Sequence, residues 1–286
     1  MQRTATVIAR LYRLTAPVYE TAMAPVFGPL AHDLVYSTPP TLADTVLDLG
    51  TGTGFALRQA APHARRSLGI DISLPMLQAA AAVRAVQHWP RTCLLLADAA
   101  TLDALADRCA DVVFSSFGLG DCPPEQALRA AARVLRPGGR LALQEWGPYD
   151  GENDPRLIVD ETLASCMLPE AAGLCEEFRA ELTRPRAWES RLQDSEDYAL
   201  ALAEAGFVAI RATEYRPVTL RLSVEAFLAY MLGWASRAVE VAALTGDARR
   251  HFLALARQRL QIRADTEGLL SWSPVVLRAT AIRGSL

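Results

Sequence analysis

The sequence contains no lysine, so all 29 of its basic residues are arginine. Catalysis through a lysine Schiff base is therefore excluded. The basic residues form no long run, and the formal net charge is −3. Because nucleic-acid-binding proteins usually carry a basic face or stripe, we expect no nucleic-acid partner.

Cysteine pairs and long apolar stretches are also lacking. None of the five cysteines forms a C-x-x-C pair, so we expect neither a metal centre nor a redox pair. Free thiols are typical of the reducing cytoplasm, where we place the protein. No window approaches the roughly 18 uninterrupted apolar residues of a membrane-spanning helix, so we expect no membrane partner. We expect no signal peptide, because the N-terminal segment has no apolar stretch that is free of Arg3, Arg10 and Arg13.

Short apolar segments alternate with helical segments between residues 45 and 145. The predicted strands are 45–49, 67–70, 92–96, 112–115 and 141–145. The predicted helices begin near Phe55, at Ser73 as a cap, and at Pro123, and the last of them ends at a break over 136–139. Almost wholly apolar strands are typical of a sheet covered by helices on both faces. The alternation therefore predicts an α/β fold with a doubly wound, Rossmann-like parallel sheet.

The sequence after residue 150 is less regular. Strands are predicted at 208–215 and 275–282, with a further candidate strand at 218–222, and helices are predicted at 194–205, at 223–239 with a cap at Ser223, and at 248–263. We therefore predict a seven-stranded sheet with a mostly helical lid. The predicted core segments are 40–150, 191–222 and 269–286, and the predicted lid segments are 1–39, 151–190 and 223–268.

A glycine-rich loop follows the first predicted strand, with glycines at Gly50, Gly52 and Gly54. Glycines at alternate positions let the backbone turn sharply and approach a ligand closely, although a simple tight turn is the plainer interpretation. An NAD-binding fingerprint would need a glycine at position 55, which is Phe55. Asp48 at the strand end would repel a pyrophosphate. It would attract a ligand that carries an ammonium and a sulfonium, either directly or through the loop N–H groups.

Two further aspartates follow the next two predicted strands. Asp71 ends the second strand, where a carboxylate can accept hydrogen bonds from both hydroxyls of a ribose. Asp98 follows the third strand, where a carboxylate can accept from an adenine amino group. Each aspartate alone is weak evidence, but together they lie at one edge of the sheet and predict a nucleoside site.

These motifs resemble those of class I S-adenosylmethionine-dependent methyltransferases. The resemblance covers about residues 40–150 and includes the sequences 111–116 and 135–139. It implies S-adenosylmethionine as the cofactor and a cofactor site made of Asp48, Gly50, Thr51, Gly52, Gly54, Asp71, Ile72, Met76, Asp98, Ala99, Ser115 and Ser116. Residues 116–119 are similar to the ubiquinone and menaquinone methyltransferases and their natural-product relatives. Gly120 and Asp121 depart from that subfamily, so its quinone substrate does not follow.

Candidates for the acceptor side are few. Glu145 ends the fifth predicted strand and is a candidate base, although it could simply cap the loop; Tyr19 is the second catalytic candidate. Tyr12 or Tyr19 near a sulfonium would place an electron-rich ring beside a cation. The candidate substrate-binding residues are Tyr12, Phe117, Trp146, Tyr230 and Trp234. Core packing is the alternative role for the last two, which stand at i and i+4 on one predicted helix.

The function expected from these features is methyl transfer from S-adenosylmethionine to a small hydrophobic molecule. We expect O- or C-methylation in natural-product or quinone-like biosynthesis. The alternative is an enzyme of the same fold that uses the cofactor without methyl transfer, for cyclisation or elimination. An NAD-dependent oxidoreductase is disfavoured by Phe55 and Asp48, and a non-catalytic subunit by the intact glycines. A homodimer is left open, and no metal is expected.

Overall fold

The computed structural model describes residues 2–89, 91–149, 151, 154–182, 188 and 191–285, without the side chains of 2–6, 8 and 178–182. Part of the predicted lid segment 151–190 therefore lies outside the described residues. The strands are β1 (Thr45–Leu49), β2 (Arg66–Asp71), β3 (Thr92–Leu96), β4 (Ala110–Ser116), β5 (Leu135–Trp146), β6 (Phe207–Tyr215), β7 (Leu220–Ser223), β8 (Leu269–Trp272) and β9 (Val276–Arg283). The helices are α1 (Gln2–Ser37), α2 (Phe55–Ala60), α3 (Leu74–Gln87), α4 (Pro124–Val134), α5 (Pro155–Cys166), α6 (Pro169–Leu182), α7 (Ser195–Glu204), α8 (Val224–Gly233), α9 (Ala235–Ala243) and α10 (Gly246–Gln261).

Seven strands form one sheet in the order β3-β2-β1-β4-β5-β9-β6. The strands β1 to β5 pair in parallel, and β9 runs antiparallel to both β5 and β6. The short strands β7 and β8 pair separately. The predicted α/β fold with a Rossmann-like, seven-stranded sheet is confirmed.

Both faces of the sheet are covered, as the apolar strands predicted. On β4, Val112 and Phe114 belong to the cluster beneath α1 and α2, whereas Val113 between them packs with α4 and α7. Successive side chains of a strand point to opposite faces, so an uninterrupted apolar run serves two cores at once. This arrangement holds the carboxyl ends of β1, β2, β4 and β5 at one edge.

The fifth strand begins earlier than the sequence predicted. Ala110 pairs with Leu135, and the next pairing joins Val112 to Arg140, so residues 136–139 leave the ladder as an irregularity inside β5. Gly138 has a φ of +77°, which a glycine adopts without steric cost. The predicted break over 136–139 is therefore a local departure from the ladder, not the boundary of the strand.

The N-terminal segment, which was predicted as part of the helical lid, is one long helix. In α1, Met23, Val26, Leu30 and Leu34 are fully buried in the core. The Gln144 side-chain amide also donates to the Leu30 carbonyl at 3.1 Å. The C-terminal half of α1 is thus packed against the sheet, and the assignment of residues 1–39 to a lid stays a prediction.

The helix predicted over 223–239 is divided into α8 and α9. Trp234 separates them with an extended backbone (φ −68°, ψ 132°) directly after Gly233. The predicted cap at Ser223 is confirmed, since its hydroxyl accepts from the Ala226 N–H. Ser73 occupies the position before α3, but its hydroxyl makes no capping bond, so that predicted cap is wrong.

Among the described residues, no helix is long and apolar enough to cross a membrane. Within the same ranges, no group of three or more histidine, cysteine or carboxylate residues could hold a metal ion.

Candidate functional site

A cavity of about 1340 Å³ lies at the carboxyl ends of the parallel strands, beneath α1, α5, α6 and α9. In open α/β sheets this edge is the usual ligand-binding position. Most of the predicted site residues line it: Tyr12, Tyr19, Asp48, Gly50, Thr51, Gly52, Asp71, Ile72, Met76, Asp98, Ala99, Ser116, Phe117, Glu145, Trp146 and Trp234. Their individual roles stay predictions.

The loop after β1 turns through two left-handed glycines beside the cavity. Gly50 has a φ of +66° and Gly52 one of +55°, values that L side chains rarely adopt. A Cβ at Gly50 would lie 2.5 Å from the Cα of Gly118, because the loops after β1 and β4 pass in contact. A Cβ at Gly52 would meet nothing closer than Tyr19, at 4.0 Å. Gly50 is therefore needed for packing, whereas Gly52 leaves its backbone open towards the cavity.

Asp48 is buried beneath this loop, where its carboxylate is hydrogen-bonded to other groups of the protein. Its Oδ2 accepts hydrogen bonds from the Thr51 hydroxyl at 2.6 Å and from the Leu57 N–H at 3.1 Å. Burial raises the pKa of Asp48 to about 7, although both hydrogen bonds oppose the shift. The sequence left open whether Asp48 attracts a cationic ligand directly or through the N–H groups of the loop. These two hydrogen bonds favour the second possibility.

The raised pKa of Asp48 makes the stability of the fold pH-dependent. Between its ordinary value of 3.8 and about 7 the folded chain keeps a proton that the unfolded chain has released. Stability contributed by this group therefore falls as the pH rises through that interval and is level above it. Between about pH 5 and about pH 8 the wild type should lose about 2–3 kcal/mol more of its free energy of unfolding than Asp48→Asn, which has no group to titrate at this position. Urea unfolding at both pH values measures the difference; equal losses in the two proteins would contradict it.

Asp71 and Asp98 stand at the next two strand ends, as predicted. Asp71 Oδ2 accepts from the Gly52 N–H at 2.8 Å, and its Oδ1 accepts from the Ser73 N–H at 2.8 Å. Burial raises the pKa of Asp71. Asp98 Oδ1 accepts from the Ala100 N–H at 2.8 Å. Asp71 thus ties the glycine loop to the start of α3 while it lines the cavity.

Glu20 on α1, which the sequence did not single out, fastens that helix to the glycine loop. Its Oε2 accepts from the Thr53 hydroxyl at 2.6 Å, and its Oε1 accepts from Arg58 at 2.6 Å. The neighbouring Tyr19 is nearly buried and faces Gly52. The sequence offered no signal for this contact, because it joins residues 33 and 38 positions apart through the packing of α1.

Removing the Glu20 carboxylate should loosen the loop without unfolding the protein. Glu20→Ala breaks both bonds, and we expect it to weaken binding of a ligand at the loop by about tenfold, since hydrogen bonds to charged groups are worth about 1.5–3 kcal/mol. Thr21→Ala, which changes an exposed neighbouring helix position, is the matched control. Thermal melts and calorimetric ligand titration of both variants test this; equal affinities would show that Glu20 does not position the loop.

The central wall of the cavity is aromatic. Phe117 stacks on Trp146 with ring centroids 4.2 Å apart and on Phe27 at 5.1 Å. Trp234 meets Phe27 edge-on at 5.6 Å. Phe117 has a φ of +58°, which is rare for a bulky residue. Phe27 was not among the predicted site residues, because its helical neighbours gave it no distinctive pattern.

Glu145 contacts the loop that follows β4. Its Oε1 accepts from the Leu119 N–H at 3.1 Å. This hydrogen bond supports the alternative role of Glu145, which is to cap a loop. The catalytic role proposed for Glu145 stays a prediction.

A polar cluster closes the far end of the cavity, between α5 and α9. Arg237 forms an ion pair with Asp160, whose other oxygen accepts from the Tyr149 hydroxyl at 2.8 Å. Arg156 lies 4.2 Å above the Tyr149 ring and is held by a buried ion pair with Asp154. None of these five residues was predicted from the sequence, since the elements that carry them meet only in the folded chain.

Three predicted site residues do not line the cavity. The Ser115 hydroxyl donates to the Leu49 carbonyl at 3.1 Å, and a Cβ at Gly54 would point at Trp89. Tyr230 is only 1% exposed and packs between Phe227 and Trp272. The structure therefore places Tyr230 in the core, which agrees with the alternative role of core packing.

The sequence of the segment around this site matches a known family. The model of that family, described as a methyltransferase domain, matches residues 47–143. Residues 47–143 are a methyltransferase domain. The resemblance to class I methyltransferases is confirmed for this segment, which contains the glycine loop and both strand-end aspartates of the domain.

Curated relatives match about half of the chain or less. Malonyl-[acyl-carrier protein] O-methyltransferase of Dechloromonas aromatica is 34% identical over 144 residues, which are 49% of this chain and 51% of that protein. The ubiquinone/menaquinone biosynthesis C-methyltransferase UbiE of Syntrophotalea carbinolica is 38% identical over 107 residues, 36% of this chain and 44% of that protein. The chain thus spans about half the length of these relatives.

Solved structures share the fold of most of this chain, including the segments outside residues 47–143. The YcgJ protein of Bacillus subtilis superimposes with a TM-score of 0.55 at 14% identity, covering 89% of this chain and 99% of that one. The [4+2]-cyclase SpnF gives a TM-score of 0.57 at 18% identity, covering 97% and 95%. At these identities the likeness concerns the fold alone.

Proposed function

We propose that the protein is an S-adenosylmethionine-dependent methyltransferase that acts on a small hydrophobic molecule. The observation that carries this proposal is the arrangement of Asp48, Asp71 and Asp98 at the ends of three parallel strands around the glycine loop. The carboxylates of Asp71 and Asp98 would attract a ligand that carries a sulfonium and an ammonium and would repel a pyrophosphate, and Asp48 would act on the ligand through the loop.

The described residues fit each part of this cofactor. The methionine part would lie against the loop at Gly50 and Gly52, where no Cβ occupies the space above Gly52. Asp71 would accept from the ribose hydroxyls. Ile72, Met76, Asp98 and Ala99 line the adjoining wall, and would contact the adenine.

The remaining space would take the acceptor. Pockets for drug-sized ligands measure about 300–1,000 Å³, so the cavity, at about 1340 Å³, has room for a second molecule. The aromatic wall of Phe117, Trp146 and Trp234 would bury an apolar ring, and Tyr149 and Arg237 would contact its polar end. These contacts favour a hydrophobic acceptor with a polar group.

Methyl transfer needs alignment more than it needs an added nucleophile. The cofactor supplies a methyl group that its sulfonium already activates. The protein would align the acceptor against the aromatic wall and exclude water through α1. Tyr19 would face the sulfonium with its ring, and its pKa is raised well above the ordinary value by burial. Glu145 would accept a proton where the acceptor must lose one.

We propose only a broad class of acceptor, whereas the names of the relatives specify particular substrates. Those proteins are named for malonyl-[acyl-carrier protein] and for quinones. We propose O- or C-methylation of a quinone-like or natural-product molecule in the cytoplasm, with a homodimer left open. A reaction of the same cofactor site without methyl transfer, such as cyclisation, is the alternative, and analysis of the products for S-adenosylhomocysteine separates the two.

Asp71 provides a direct test of the proposed ribose contact. Asp71→Asn keeps an oxygen for the Gly52 N–H but removes the charge that would hold the ribose. Charge-assisted hydrogen bonds are worth about 1.5–3 kcal/mol, so affinity for S-adenosylmethionine should fall about ten- to a hundredfold. Asp103→Asn, at an exposed position, is the control. Calorimetric titration measures both; an unchanged dissociation constant in Asp71→Asn would remove the ribose assignment.

A further inference from the structure

A second cavity, of about 320 Å³, lies at the opposite end of the sheet from the proposed cofactor site. It is formed where β5 begins at Leu135, next to the C-terminal end of α4. Four arginines line it: Arg108, Arg129, Arg133 and Arg283. Asp107 is the one carboxylate among its described lining residues, and its side chain is 70% exposed.

The two inner arginines both donate to backbone carbonyls. Arg133 donates to the carbonyls of Leu102 at 2.8 Å and Leu105 at 2.9 Å, and also to Asp107 at 2.7 Å. Arg283 donates to the carbonyls of Ala132 at 2.9 Å and Gly206 at 2.8 Å. Carbonyl oxygens orient a guanidinium without cancelling its full charge.

The guanidinium groups of the two outer arginines make no hydrogen bond or ion pair within the described ranges of the chain. Arg108 and Arg129 are both exposed at the rim of the cavity. Arg108 has a φ of +55°, and its backbone N–H donates to the carbonyl of Arg133 at 3.0 Å. This left-handed backbone, together with the hydrogen bond, holds Arg108 beside Arg133 at the rim of the cavity.

We propose that this cavity binds a phosphate group. Four guanidiniums and one exposed carboxylate give the wall a formal charge of about +3, and a guanidinium fork matches phosphate oxygens with paired hydrogen bonds. The volume is large enough for inorganic phosphate or for the phosphate of a small ester. The proposal is independent of the methyltransferase function, because the two cavities lie at opposite ends of the strands.

Thermal melting of the whole chain tests the proposal, with inorganic phosphate, glycerol 3-phosphate and sodium chloride compared at equal ionic strength. Both phosphates should raise the melting temperature in a saturable way beyond chloride, since a ligand of the folded state stabilises it. If only inorganic phosphate raises the melting temperature, the site binds the free ion. If only glycerol 3-phosphate raises it, the site binds phosphate esters. Equal effects of phosphate and chloride would overturn the proposal.

Variants locate the site. The double variant Arg108→Ala with Arg129→Ala should raise the calorimetric dissociation constant for the bound phosphate at least about tenfold. The control is Arg250→Ala with Arg257→Ala, which removes the same charge from exposed positions of α10. Should the double variant not fold, Arg129→Gln alone should show the same direction of change. Unchanged affinity in the folded variant, or stabilisation by the polyanion heparin only, would contradict a phosphate pocket.

Discussion

Gly50→Ala should abolish binding of S-adenosylmethionine and destabilise the fold. The added Cβ would lie 2.5 Å from the Cα and the carbonyl oxygen of Gly118, far inside contact distance. Both contacts are backbone atoms, so the loops after β1 and β4 must move apart. The positive φ of Gly50 adds strain for any L side chain. We expect a loss of about 1–3 kcal/mol in stability and no measurable cofactor binding.

The matched control is Gly28→Ala. A Cβ at Gly28 meets no atom within 4 Å, and alanine is favoured over glycine inside a helix such as α1. Its stability should be equal to or slightly above that of the wild type, with unchanged cofactor affinity. Urea unfolding and calorimetric titration of the two variants decide the matter: a Gly50→Ala protein with wild-type affinity would show that the loop is not the cofactor site.

Tyr230→Ala and Trp234→Ala should have different effects, although both side chains are aromatic and close in sequence. Tyr230 is fully enclosed between Phe227 and Trp272. Its removal should cost about 3–5 kcal/mol of stability, as for other large aromatic residues in cores. Trp234 lines the cavity at the break between α8 and α9. Its removal should lower turnover of the acceptor strongly, with a smaller loss of stability.

The two measurements that separate these variants are thermal melting and titration with S-adenosylmethionine. Trp234→Ala should keep an affinity for the cofactor within a fewfold of the wild type, because Trp234 lies on the aromatic wall and not at the glycine loop. Turnover is then measured on an acceptor found by a mass-spectrometric product screen. Equal losses of stability, cofactor affinity and turnover in both variants would show that Trp234 is a core residue as well.

The residues on the proposed cofactor side of the cavity could be placed together from the sequence because their signals are local. Gly50, Gly52, Asp71 and Asp98 each follow an apolar strand at a short, fixed spacing, and parallel strands bring such ends to one edge. Only the order of strands had to be inferred to place them together. The family model covers the same segment, residues 47–143.

The residues on the proposed acceptor side were less predictable because their positions depend on long-range packing. Phe27 is contributed by α1 and Arg237 by α9, at distances along the chain that no local pattern encodes. The i and i+4 spacing of Tyr230 and Trp234 suggested one helical face. The helix ends at Gly233, so Trp234 leaves that face and reaches the cavity while Tyr230 stays in the core.

The central claim, that the large cavity is a site for S-adenosylmethionine, is tested most directly by isothermal titration of the purified chain. We predict saturable binding of S-adenosylmethionine and of S-adenosylhomocysteine at one site per chain, and no binding of NAD. Gly52→Val, which places a branched side chain where the backbone faces the cavity, should remove that binding while the protein stays folded. Tight binding of NAD with no binding of S-adenosylmethionine would contradict the account.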